Sequence, residues 1–135
     1  MLAVEQPAVI AARDVAERIL RPQAEQVDVT VVPRSHLDAL GAAGLMAATE
    51  LPMPVMRELI EVLAAADAST WFVWTQHHTP VRSVSRGTND GLRERVLPQL
   101  LSGKTLAGVA FTHLRRPGPP AVVARPRRRR VGAGR

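Results

Sequence analysis

Gln76-His77-His78-Thr79 interrupts an apolar helical pattern with four polar residues and holds two of the four histidines of the chain. Imidazoles bind metals and move protons near neutral pH, so a His-His pair is the first place to look for chemistry. Consecutive helical residues point about 100° apart, however, and no carboxylate or thiolate stands at ligand spacing, so the pair does not form a metal-binding face. Helix packing or a surface role is the ordinary alternative for these side chains. The second chemical signal is Arg127-Arg128-Arg129-Arg130 with Arg125 and Arg135, a run able to neutralise phosphates and release their counterions. It has no aromatic residues between the arginines for base stacking, and no helix-turn-helix with basic recognition residues precedes it. Two explanations stay open for this tail: a nucleic-acid-binding segment, or the arginine, glycine, proline and alanine product of a GC-rich gene read out of frame.

Composition limits what surrounds these residues. A length of 135 residues holds one ordinary domain, and with four Phe and Trp residues and no Tyr the core must come mostly from Ala, Leu and Val, which suits close-packed helices. The net charge of +6 is unevenly spread: residues 1–114 carry ten basic and twelve acidic groups, a balance of −2, and the other eight arginines follow. The absence of cysteine excludes disulfides and thiolate metal sites and fits a cytoplasmic location. The N-terminus lacks the continuous apolar core of a secretory signal, and no run reaches the roughly 20 apolar residues of a membrane span.

Periodicity gives the elements that position the polar residues. Val9, Ala12, Val15, Ala16, Ile19 and Leu20 form one face of a helix over 8–20, which Pro22 should end or bend. Val29–Val32 is β-branched, yet its neighbours read as a connector. Ser35 is the expected N-cap of a second helix carrying Leu37, Leu40 and Ala43, with Gly44 as its stop. Pro54 fits the first position of a helix from Val55 to about Ala66 that buries Met56, Leu59, Ile60, Leu63 and Ala66. A further helix restarts at Ser69 and runs to Val84, with a kink or break expected at Pro80. Asn89 or Asp90 opens the last helix and Gly103 closes it. Leu106–Leu114 has the composition of a strand, and from Arg115 onward there is little to bury, so the basic end, 125–135, is expected to be disordered.

Five segments, in this order, resemble the acyl-CoA dehydrogenase family. They are Ile19-Leu20-Arg21-Pro22 with Ala24 and Asp28; Val32-Pro33 with Leu37; Leu40-Gly41-Ala42-Ala43-Gly44-Leu45-Met46; Glu58-Leu59 through Ala66-Asp67-Ala68-Ser69; and Leu97-Pro98-Gln99-Leu100-Leu101-Ser102-Gly103. The resemblance implies a mainly α fold, with an N-terminal-like helical domain over 1–104 and the start of an incomplete β-domain, one or two strands, over 105–124. It implies FAD as cofactor, an acyl-CoA thioester as substrate and a homo-oligomeric full-length enzyme.

By that resemblance Phe111 and Thr112 take the places that contact the flavin ring, a hydroxyl and backbone amides meeting its polar edge while an apolar neighbour packs on the ring. An ordinary strand threonine is the alternative for Thr112. Trp74, Gln76 and His77 fall near the family's acyl pocket, and packing is again the alternative. After Thr112 the chain reads His113-Leu114-Arg115-Arg116-Pro117-Gly118 where the family has glutamate-proline and then glycine-serine. The family's catalytic glutamate base has no counterpart in this sequence. Dehydrogenation needs a base on one face of the substrate and flavin on the other, so the expectation is a chain that is inactive alone. A fragment of this kind is also expected to expose apolar surface around Leu106, Val109 and Phe111.

Overall fold

The computed structural model of the 135-residue chain describes residues 2–110, 117–119, 123 and 125. Among the described residues the fold is mainly helical and contains no strand. A short 3-10 turn, Ala3–Glu5, leads into α1, Pro7–Val15, where Pro7 takes the first helical position because its missing N–H needs no partner there. Helical backbone then continues through a π-helical turn at Ala16–Leu20 and a 3-10 turn at Arg21–Gln23 into α2, Ala24–Asp28. Pro22 therefore does not end the helix. It cannot donate to the preceding turn, and the backbone changes from wide to tight winding around it instead of breaking.

Val29–Val32 is a connector. Helix α3, Arg34–Ala42, begins two residues earlier than expected: Pro33 is its N-cap, with φ −67° and ψ 142°, and no side chain caps it, so Ser35 lies inside the first turn. Gly44, at φ 73°, stops α3 and passes the chain to a 3-10 helix at Leu45–Glu50. Helix α4, Met53–Ala66, puts Pro54 at its second position. Helix α5, Ala68–Arg86, runs through Pro80, so of the kink or break expected there the break does not occur. Helix α6, Asp90–Leu101, is capped by the Asn89 carboxamide, which accepts from the Leu92 amide at 2.9 Å, and is closed at Gly103, φ 74°.

The helices pack in series, α1 on α4, α4 on α5 and α5 on α6, with the Leu45–Glu50 turn and α2 also against α5. One apolar cluster joins Val9, Ala12, Val15, Ala16 and Leu20 to Leu37, Leu40, Leu45 and Met46, then to Val55, Leu59, Leu63, Ala66 and Trp74. Met56 and Ile60, expected to be buried, are half-buried at its edge. No helix in the described residues is long and apolar enough to cross a membrane.

The expected strand begins as Leu106–Ala110, which carries neither helix nor strand, while 111–114 lies outside the described residues. A strand exists only by pairing its backbone with another, and no second strand is present among the described residues. Leu106 packs against the helical core instead of being exposed, and Val109 is half-buried. The large apolar side chains that are exposed lie elsewhere, among them Ile10, Val29, Val31, Met53 and Phe72.

Candidate functional site

Among the described residues, helix α5 and its N-cap carry four of the six buried polar side chains: Asp67, Thr70, His77 and His78. Its start is built on Asp67, whose Oδ1 accepts the amides of Ser69 at 3.0 Å and Thr70 at 3.1 Å, satisfying two of the N–H groups that a helix start leaves open. The other oxygen, Oδ2, accepts the Thr70 hydroxyl at 2.6 Å. That hydroxyl oxygen in turn accepts from His36 Nδ1 on α3 at 2.9 Å, with Asp67 Oδ2 3.5 Å from the same nitrogen. All three side chains are buried, and His36 Nε2 has no partner among the described residues.

Aspartate, hydroxyl and imidazole together invite comparison with a nucleophile-base-acid triad, but the order is wrong. In a triad the hydroxyl gives its proton to the imidazole, whereas here Thr70 gives it to the carboxylate and receives from the ring. Thr70 is also 0% exposed, so no substrate reaches it. The cluster ties the starts of α3 and α5 together.

One turn further along α5, Trp74 is 0% exposed and its indole N–H donates to the Leu45 carbonyl at 3.0 Å. His78 stacks edge-on to the Trp74 ring with centroids 4.3 Å apart, and its Nδ1 donates to the Trp74 carbonyl at 2.8 Å. Burial pushes the His78 pKa below the usual histidine value; the bond to the Trp74 carbonyl opposes this, and the like charges of His77 and Arg82 add to it. His77 faces the other way, bonding the Leu100 carbonyl through Nε2 at 2.9 Å and the Ala107 amide through Nδ1 at 3.2 Å.

The three residues suggested for an acyl pocket are thus placed in different settings. Trp74 and His77 lie in the packed interior with their polar atoms engaged by backbone groups, and Gln76 is half-buried. Phe111 and Thr112, suggested for flavin contact, lie outside the described residues.

No protein-family model, curated protein or solved structure matches the chain.

Two open clefts flank the other side of α4. One, of about 400 Å³, runs beside Arg13, Glu17, Arg21, Glu58 and Glu61, and its charges are mostly spent within the wall: Arg21 pairs with Glu17 at 3.0 Å and Arg13 with Glu58 at 3.9 Å. The second, of about 300 Å³, lies between Ala24–Asp28 and the alanine-rich end of α4. Neither includes Trp74, Gln76 or His77. Among the described residues no group of three His, Cys, Asp or Glu side chains is arranged to hold a metal ion.

The buried His36–Thr70–Asp67 cluster was not apparent from motif spacing. Its traces in the sequence are an N-cap aspartate followed three residues later by a hydroxyl, and a histidine four residues before Leu40, in the buried register of an amphipathic helix.

Proposed function

We propose that this chain is the N-terminal portion of an acyl-CoA dehydrogenase-like flavoprotein, residues 1–104 forming its helical domain and 105–124 the start of its β-domain. The full-length enzyme would bind FAD and transfer hydrogen from an acyl-CoA thioester. The observation that supports this reading is where the resembling segments fall. Val32-Pro33 stands immediately before α3, Leu40–Met46 spans its end and the Gly44 turn, Ala66–Ser69 is the junction of α4 and α5, and Leu97–Gly103 is the close of α6. Residues that resemble a family's turns are doing the work of turns. Phe111 and Thr112 follow directly on Leu106–Ala110, the segment that leaves the last helix, and they are the residues that would hold the flavin ring. When bound, FAD would supply the hydride acceptor; this chain's share is to orient it.

Equilibrium dialysis of the purified chain against FAD tests the reading. Weak binding that changes little with salt and falls in Thr112→Ala and Phe111→Ala is the expected result. No detectable binding at millimolar FAD overturns the assignment of those two residues.

A second reading rests on Arg127–Arg130: a helical module that binds nucleic acid or another polyanion through its basic end. It predicts binding to a DNA duplex that falls steeply with added salt and disappears on deleting 115–135. FAD binding should survive that deletion.

A further inference from the structure

The chain leaving α6 is fastened back onto α5 through one imidazole. His77 is 1% exposed, with its Nε2 2.9 Å from the Leu100 carbonyl and its Nδ1 3.2 Å from the Ala107 amide nitrogen. A carbonyl only accepts and an amide N–H only donates, so the two bonds together require hydrogen on Nε2 and a bare Nδ1. A second proton on the ring would set Nδ1–H against the Ala107 N–H, two donors facing each other at a site where little water can intervene.

We propose that His77 is a proton-operated latch: with Nδ1 bare it holds Ala107–Ala110 on the helical body, and a proton at Nδ1 releases those residues, downstream of the packed Leu106, while the body stays folded. Release is local because the Leu100 bond survives, Nε2–H donating in either state, and because Leu106 stays packed against the apolar cluster that joins α1, α3 and α4 to Trp74 of α5. Upstream, Thr105 remains tied to the Gln99 carbonyl at 3.1 Å. Among the described residues, the Ala107 bond is the hydrogen bond that ties 106–110 to the helices.

The charged and titratable surroundings are few. His78 is the adjoining ring, its centroid 6.2 Å away, and Arg82 follows on α5. On α6 and the turn after it, Arg93 is engaged by Asp90 and the Gly87 carbonyl, while Glu94, Arg95 and Lys104 are exposed. The latch stands independently of the flavin reading, although the segment it holds leads straight into Phe111 and Thr112.

Nuclear magnetic resonance of the ¹⁵N-labelled full chain, titrated from alkaline to mildly acidic pH, tests it. The expected result is a nitrogen-nitrogen coupling across the bond between the Ala107 amide and His77 Nδ1. That coupling vanishes as Nδ1 takes its proton, and Ala107 amide exchange then accelerates on the order of tenfold or more. The Leu59 and Leu63 amides stay protected throughout. His77→Gln keeps a donor for the Leu100 carbonyl and loses the titration, so Ala107 should exchange fast at every pH with the same core protection. Ala107 protection that persists on the protonated ring overturns the proposal, as does wild-type protection in the glutamine variant or loss of Leu59 and Leu63 protection in the same step. Should the variant fail to fold, the wild-type titration decides alone.

Discussion

Gly41 on α3 and Gly103 after α6 lie against each other so closely that a Cβ built on Gly103 would stand 3.6 Å from the Gly41 Cα and 2.9 Å from Met46 Cγ. A Cβ on Gly41 would meet the Ser102 carbonyl oxygen at 2.9 Å. Two backbones from distant parts of the chain therefore touch without side chains between them. Arg34 reinforces the contact by donating to the Gly103 carbonyl and, at 3.3 Å, to that of Lys104, while pairing with Asp38 at 2.7 Å.

That contact predicts a ranking of glycine substitutions. Gly41→Ala should cost about 1–3 kcal/mol because it pushes on a backbone oxygen that cannot move alone. Gly103→Ala combines left-handed strain, worth about 1–2 kcal/mol, with a clash that the Met46 side chain can partly relieve. Gly44→Ala has the same left-handed strain at φ 73° but open space around its Cβ, so it should cost only about 1–2 kcal/mol. Urea unfolding of the three variants measures the order; equal costs for all three, or Gly44→Ala the worst, would mean that the contact is not close.

His78 should make stability depend on pH. Its folded pKa is depressed, chiefly by burial, so the folded state binds a proton less readily than the unfolded state. Above the ordinary value of 6.5 both states are neutral and the contribution is constant; as pH falls below that value the unfolded chain takes up protons and stability is lost. The slope from this one group cannot exceed about 1.4 kcal/mol per pH unit. Comparing urea midpoints of wild type and His78→Gln across this range isolates it. A variant with an unchanged slope would assign the pH dependence to other groups.

Much of the helical layout was legible because the stops and starts are local. Asn89 and Gly103 announce themselves through side-chain capping and positive φ, and Asp67 stands where α4 gives way to α5. Neither proline breaks its helix, for a tertiary reason: Pro22 and Pro80 each lose one hydrogen bond, yet the buried residues on both sides, Leu20 and Val27 around the first, His78 and Val81 around the second, keep the backbone helical. The composition of Leu106–Ala110 is that of a strand, but composition cannot provide a partner, and the segment finds His77 and the helical core instead. The site was the least legible part, since the His36–Thr70 bond joins residues 34 positions apart and no local pattern encodes it.

The Asp67 cluster should be strongly coupled. Asp67→Ala removes an N-cap, worth about 0.5–2 kcal/mol, and strands the buried Thr70 hydroxyl, worth about 1–3 kcal/mol more. Thr70→Val keeps the cap and the shape, so its cost should be smaller, near the cost of the lost hydroxyl bonds alone. In a double-mutant cycle the two changes should be less than additive by about 1 kcal/mol or more, because both remove the same bond. Strict additivity, read from chemical unfolding of the four proteins, would show that Asp67 acts on the helix start only.

Trp74 permits a direct choice between packing and a pocket wall. Trp71 is half-buried and its indole nitrogen has no partner among the described residues, so Trp71→Phe removes the only other tryptophan at modest cost and leaves Trp74 as the sole reporter. A ring that is 0% exposed and fixed by its bond to the Leu45 carbonyl predicts blue-shifted emission and poor quenching by acrylamide. Efficient quenching would mean that solvent-sized molecules reach the indole and that this face of α5 opens into a pocket. In the same background Trp74→Phe should lose about 1–3 kcal/mol, since the smaller ring leaves the Leu45 carbonyl without its donor, while Trp74→Ala should lose about 3–5 kcal/mol through the cavity it creates. The gap between the two separates the hydrogen bond from the packing, and a phenylalanine variant as unstable as the alanine one would place most of the worth of Trp74 in its N–H rather than its ring.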